Sequence, residues 1–116
     1  MFKLMPNSEL EVMKVIWEEG DGVDSKTITE IVQKRRNWKK TTILTLLTRL
    51  SIGGYILVDK TGRRSKYTAT ISRDDYAEKA VISFANSLYS NKGYEYNAEA
   101  LDKLISKCNS IKELNK

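Results

Sequence analysis

Trp38-Lys39-Lys40-Thr41-Thr42-Ile43-Leu44-Thr45-Leu46-Leu47-Thr48-Arg49-Leu50 is the stretch on which the fold turns. Ile43, Leu46, Leu47 and Leu50 recur at i, i+3, i+4 and i+7, the spacing of one apolar stripe on a helix. Thr41, Thr45 and Thr48 fall on the opposite side with short hydroxyls, and Lys39 and Lys40 stand at the amino-terminal end. A cationic entry, a face of short side chains and a buried back suit a helix laid in a DNA major groove. The period itself says only that one side is buried, so an ordinary amphipathic surface helix fits this stretch equally well.

The flanking sequence discriminates. Upstream, Ser25 is placed to cap a helix whose inner stripe is Ile28, Ile31 and Val32. That helix closes on Lys34-Arg35-Arg36, cations that favour the negative end of a helix dipole and stand where phosphates could be met. Asn37 and Trp38 make the turn, and Gly53-Gly54 ends the next helix. Two helices joined by a short turn, the second with a polar outer face, form the helix-turn-helix pattern. A first helix precedes them. Ser8 and Glu11 are spaced as a capping box, Leu10, Met13, Ile16 and Trp17 share a face, and Gly20 and Gly22 stop it. Gly22-Val23-Asp24 reads as a short extended link.

Downstream, Tyr55-Ile56-Leu57-Val58-Asp59-Lys60 and Ser65-Lys66-Tyr67-Thr68-Ala69-Thr70-Ile71 are strand-like. The turn-like Thr61-Gly62-Arg63-Arg64 lies between them, so a β-hairpin with Gly62 at its turn is expected. Three helices and then a hairpin give the winged-helix order. An α+β domain with no nucleic-acid role shares that order, but arginines at the hairpin tip are where a wing meets a phosphate backbone.

Ser72 is placed to cap a fourth helix with Asp74 and Asp75 in its first turn. Its apolar face runs through Tyr76, Ala80, Val81, Phe84, Ala85, Leu88 and Tyr89. Asn97 can cap a fifth, carrying Leu101, Leu104, Ile105, Cys108 and Ile111 at spacings of 3 and 4. Two amphipathic helices beyond a complete small domain need a surface. The economical one is the same pair from a second subunit, the alternative being the domain itself. The expected fold is therefore mostly α with a small β-hairpin: a winged helix-turn-helix DNA-binding domain over residues 1–71 and a helical dimerisation region over 72–116, with Val81, Phe84, Leu88, Leu101, Leu104, Ile105, Cys108 and Ile111 at the dimer face.

Composition narrows the function. The chain has 116 residues, 41% hydrophobic and 30% charged, as in folded soluble domains. No apolar run approaches the ~18 residues of a membrane span, and no secretory h-region opens the chain, so a cytoplasmic protein is expected. A single cysteine excludes an internal disulfide. The absence of histidine removes the commonest general base and the usual zinc ligand sets. No phosphate loop or carboxylate cluster replaces it, so neither an enzyme, a metal site nor a cofactor is expected. The net charge is +5. Residues 1–71 hold 13 basic and 8 acidic side chains, hence +5, and residues 72–116 hold 7 of each, hence zero. Between 31 and 66 ten basic residues face one acid, Asp59. A basic block inside a folded domain is the footprint of a polyanion binder.

Three blocks carry a resemblance. Glu9-Leu10-Glu11-Val12-Met13-Lys14-Val15-Ile16-Trp17, then Trp38 with Thr42-Ile43, Thr45-Leu46-Leu47 and Thr48-Arg49-Leu50, then Gly54-Tyr55-Ile56 with Arg63, Lys66 and Tyr67 resemble the BlaI/MecI/CopY family of transcriptional repressors over about residues 8–71. The resemblance implies a homodimeric winged-helix repressor whose recognition helices each read half of a dyad-symmetric operator in double-stranded DNA. In the best-known members a membrane sensor-protease pathway leads to cleavage near the dimerisation region, and in the copper-responsive branch a cysteine cluster binds metal. This chain has no such cluster and no Asn-Phe bond of the kind cut in protease-regulated members; by position Asn97 is the nearest cleavage candidate. Family members often carry basic residues at the positions of Thr41 and Leu44, so the family's operator sequence does not transfer.

Phosphate contacts give affinity and base contacts give specificity. The phosphate candidates are Arg35, Lys39, Lys40, Arg49, Arg63 and Arg64. Arg49 alternatively forms a structural ion pair, and Arg63 alternatively enters the minor groove. The base-reading candidates are Thr41, Thr42, Leu44, Thr45 and Thr48, with Leu44 either on a thymine methyl or extending the core stripe. Trp17 and Trp38 read as core anchors. Two other readings share the fold: a winged-helix regulator with a different small-molecule inducer, and a winged-helix protein-interaction module.

Overall fold

The computed structural model describes residues 4–89 and Ser106. In chain order its elements are helix α1 (Asn7–Glu19), strand β1 (Val23–Asp24), helix α2 (Ser25–Arg36), helix α3 (Lys40–Ile52), strands β2 (Ile56–Asp59) and β3 (Lys66–Ala69), and helix α4 (Arg73–Tyr89). Met5–Tyr76 is one compact unit; residues 1–4 and 77–116 make up the other. The first unit has the helix-turn-helix and hairpin expected of a winged helix. No helix among the described residues is long and apolar enough to cross a membrane.

The helix ends show what the sequence pattern misplaced. α1 starts one residue before Ser8, with Pro6 at the cap position and its carbonyl accepting from the Leu10 N–H at 3.0 Å. Proline's fixed φ suits the entry to a helix. No capping box forms, because no side chain caps α1 and the Glu11 carboxylate is taken by Lys14 and Arg36. α2 is capped by Asp24, which accepts from the Thr27 N–H at 2.8 Å; Ser25 is the first helical residue, and its N–H donates to the Ser65 carbonyl instead. Asn37 closes α2 in the left-handed region at φ 54°, a conformation asparagine tolerates. Ser72 does cap α4, its hydroxyl accepting from the Asp75 N–H.

The sheet has a strand that the sequence reading took for a link. β1 pairs antiparallel with β3, giving the order β1-β3-β2, with Val23 opposite Tyr67 and Asp24 opposite Lys66. β2 and β3 pair from Ile56–Ala69 to Asp59–Lys66, leaving residues 60–65 as the loop. Gly62 is not in the left-handed region, so the turn does not depend on it as expected. In a loop of this length the reversal is spread over several residues, and the Asp59 carboxylate starts it by accepting from both the Thr61 N–H and hydroxyl. Gly54, by contrast, is left-handed at φ +82°, in the tight passage from α3 into β2.

The core unites these elements. Val12, Met13, Val15 and Ile16 of α1, Ile28 and Val32 of α2, all four stripe residues of α3, Ile56 and Tyr67 are buried. Each such side chain contributes roughly 1.5–3 kcal/mol relative to exposure. Trp17 anchors the core's edge. Its Nε1–H donates to the Ile71 carbonyl at 2.9 Å, and its ring centroid lies 5.8 Å from that of Tyr76. The Tyr76 hydroxyl accepts from the Met5 N–H at 2.8 Å, tying the start of the chain to the first turn of α4. In the second unit, Phe84 and Leu88 are exposed and Val81 is half-buried. Leu101, Leu104, Ile105, Cys108, Ile111 and Asn97, with the expected fifth helix, lie outside the described residues.

Candidate nucleic-acid interface

α3 presents the face that its sequence periodicity suggested. Ile43, Leu46, Leu47 and Leu50 are buried behind it, and Thr41, Thr42, Thr45 and Thr48 stand exposed in front. Leu44 is 36% exposed, on the flank of this front rather than in the stripe behind. The Thr45 and Thr48 hydroxyls donate to the carbonyls one turn back, Thr41 at 2.9 Å and Leu44 at 3.1 Å. With its proton so used, each exposed hydroxyl is left as an acceptor. No acidic residue lies on α3. Lys39 and Lys40 are exposed at its amino end and Arg49 is exposed on its last turn.

The other cations divide into two groups. Arg63 is exposed in the wing loop, and Arg64 stands 3.8 Å from the Asp24 carboxylate, at the outer limit of an ion pair. The two arginines closing α2 turn back onto α1. Arg35 grips both oxygens of Glu18, at 3.3 and 2.7 Å, and Arg36 lies 2.8 Å from Glu11. Hydrogen bonds from Arg36 and then Lys14 hold the Glu11 carboxyl down to about 2, from 4.5. The Arg35 hydrogen bond likewise holds Glu18 below the ordinary carboxylate range. Of the expected phosphate candidates, Arg35 is thus the one with its charge already answered by a close bidentate partner. Sequence reading missed these clamps. The signal was present: Glu11 and Glu18 are seven apart and so share a helix face, and an arginine pair follows in the next helix.

A cleft of about 280 Å³ opens beside the carboxyl end of α1, among Trp17, Asp21, Ala69 and Ser72. It is small beside the ~300–1,000 Å³ of most ligand sites, and Asp21 is the one charged residue lining it.

The profile of the penicillinase repressor family matches residues 5–116. The chain belongs to this family. The penicillinase repressor of Bacillus licheniformis is 37% identical over 83 residues, which are 72% of this chain and 64% of that protein, so the chain spans under two thirds of its relative's length. Among solved structures, the DNA-binding domain of the repressor BlaI superposes with a TM-score of 0.57 at 36% identity, covering 66% of this chain and 94% of that domain. The monomeric form of Bacillus licheniformis BlaI in complex with the blaP half-operator superposes with a TM-score of 0.56 at 34% identity, covering 66% of this chain and 92% of that one. Within the penicillinase repressor family, the matched fold is thus the winged-helix unit that carries α3 and the hairpin.

Proposed function

We propose that this chain is a DNA-binding transcriptional repressor that acts as a homodimer on a dyad-symmetric operator. The observation that carries the reading is the front of α3: a row of exposed threonines, two lysines at its entry and no acid along its length. The complex of a family relative with a half-operator supports it. In this reading residues 1–71 bind DNA. Residues 72–116 pair two chains through Val81, Phe84 and Leu88 together with the apolar residues from Leu101 to Ile111. Lys39, Lys40, Arg63 and Arg64 meet phosphates, with Arg49 as a fifth candidate. Thr41, Thr42, Leu44, Thr45 and Thr48 face base edges.

Acceptor lone pairs on Thr45 and Thr48 match the amino groups of adenine and cytosine in the major groove, and threonine methyls match that of thymine. No arginine is placed on this front for bidentate guanine recognition, so discrimination is about 1 kcal/mol per base, at the low end of the ~1–3 for a bidentate pair. Four cations per protomer give about eight phosphate contacts per dimer and a salt slope near −7. A mobility shift with the DNA upstream of the chain's own gene tests the reading, with sedimentation of the free protein for the dimer. A specific, salt-sensitive, two-to-one complex is expected. A protein with no affinity for any duplex, or with a flat salt response, refutes it. The inducing step in this reading is proteolysis near Asn97 downstream of a membrane sensor. Mass spectrometry after induction tests it, and an intact chain released from DNA by a small molecule assigns induction to a ligand.

A further inference from the structure

Ile52 is the most exposed of the large apolar side chains described, at 82%. It closes α3, and its position on that helix is specific. At 3.6 residues per turn, Thr41, Thr45, Thr48 and Ile52 lie within about 40° of one line along the helix front. The four buried stripe residues occupy the opposite side. The row therefore ends in a branched hydrocarbon that has neither donor nor acceptor and takes no part in the core. Arg49 stands exposed one turn earlier and no acid lies on the helix, so the surface around Ile52 continues the cationic front and suits a polyanion.

We propose that Ile52 is a specificity-determining residue that packs against the 5-methyl group of a thymine at one end of each half-site. The inference rests on the DNA-binding reading of α3. Eleven residues separate Ile52 from Thr41, about 16 Å along the axis. A helix laid in the groove runs obliquely to the DNA axis, so that length crosses a few base pairs and puts the methyl contact at the end of the half-site away from the base nearest Thr41. An apolar side chain in the major groove has the thymine methyl as its natural complement, because it is the one apolar group that a base edge presents there. Burying one methyl-sized group is worth ~0.8 kcal/mol, or about fourfold in affinity per half-site and about fifteenfold for both.

The test pairs a base change with a side-chain change. A duplex carrying the strongest site recovered by the wild-type chain from a randomised pool is rebuilt with uracil replacing thymine, one symmetric pair of positions at a time. Uracil removes the methyl and nothing else. For the wild type, one position in each half-site is expected to lose about fifteenfold over the two halves. For Ile52→Ser that position is expected to lose less than twofold, while all other positions keep their wild-type sensitivity. Ile52→Val, which keeps the branched methyl groups, is expected to restore most of the loss. The exposed site makes both variants expected to melt with the wild type, and circular dichroism checks this. Identical uracil profiles for wild type and Ile52→Ser overturn the inference and leave the DNA-binding reading standing. So does an Ile52→Ser chain whose profile is unchanged but whose self-association is altered, which assigns the side chain to a protein contact. A wild-type chain that recovers no sequence from the pool overturns both.

Discussion

Replacing Lys39 and Lys40 together by alanine separates electrostatic anchoring from folding. Both side chains are exposed where α3 begins, and no ion pair involves them among the described residues. Their backbone role survives the change, because the Lys39 carbonyl still accepts from the Ile43 N–H at 3.2 Å. The melting temperature is therefore expected to stay put. DNA binding is not. Each phosphate neutralised contributes about 0.9 to the slope of log K against log salt, and two lysines on each of two protomers account for four, or about 3.6. The slope is expected to fall from about −7 to about −3.5. From 50 to 200 mM salt the wild type then loses about four orders of magnitude in affinity and the variant about two. Fluorescence anisotropy of a labelled operator duplex across that range reads both slopes. Arg35→Ala is the matched control. Its guanidinium is held by two hydrogen bonds to Glu18, so its removal is expected to move the slope by less than about 1. Double-lysine and wild-type slopes that agree within about 1, with Arg35→Ala flattening the response instead, would refute the division of the cations into free and clamped groups.

Three further outcomes follow from the geometry. The Glu11 carboxyl sits at about 2 in the folded chain against 4.5 for an unpaired glutamate, so its stabilising effect is complete above 4.5 and is lost as pH falls from there toward 2; Glu11→Gln is expected to shrink the drop in melting temperature across that window, and an unchanged drop refutes the clamp. Trp17→Phe keeps the ring against Tyr76 but leaves the Ile71 carbonyl without its donor, at about 1 kcal/mol, and thermal melting is expected to shift down by about 4–8 °C. Gly54→Ala places a Cβ at φ +82° and is expected to cost about 1–2 kcal/mol in urea unfolding, whereas Gly62→Ala, with no left-handed backbone to strain, is expected to change nothing measurable.

Which features were legible in the sequence follows from how local their causes are. The α3 stripe was readable because four apolar residues at helical spacing need only a core behind them. The Ser72 cap was readable because its partner, Asp75, is three residues away. β1 was hidden because a two-residue strand has no periodicity of its own and exists only through β3, more than forty residues on. The Asp24 cap was misassigned to Ser25 for the same reason: pairing with the wing turns the Ser25 N–H toward Ser65 and moves the helix start. The Ser8–Glu11 capping box failed because a carboxylate prefers two cations, one of them from another helix, to a backbone N–H. At the candidate interface the threonine front and the entry lysines were visible as pattern. Arg35 looked the same as the other cations until the fold placed Glu18 against it. Ile52 escaped notice because it lies just past the stripe that defined the helix, where a hydrophobic residue reads as one more core position.

Asp24 touches more of the molecule than its place in a two-residue strand suggests. One carboxylate oxygen caps α2, the other lies 3.8 Å from Arg64, and its backbone pairs with Lys66 at the base of the wing. The base of the hairpin is in this way laced to the start of the helix-turn-helix on one side and to β2 on the other. Residues 60–63 hang from that lacing as a cantilever hangs from its wall. Exchanges at residues 62 and 63 leave that lacing in place, whereas changes at Arg64 or Ser65 loosen the ties to Asp24 and to the Ser25 N–H at the start of α2. The tip is therefore the part of the wing most open to exchange, while its base belongs to the frame that carries α3.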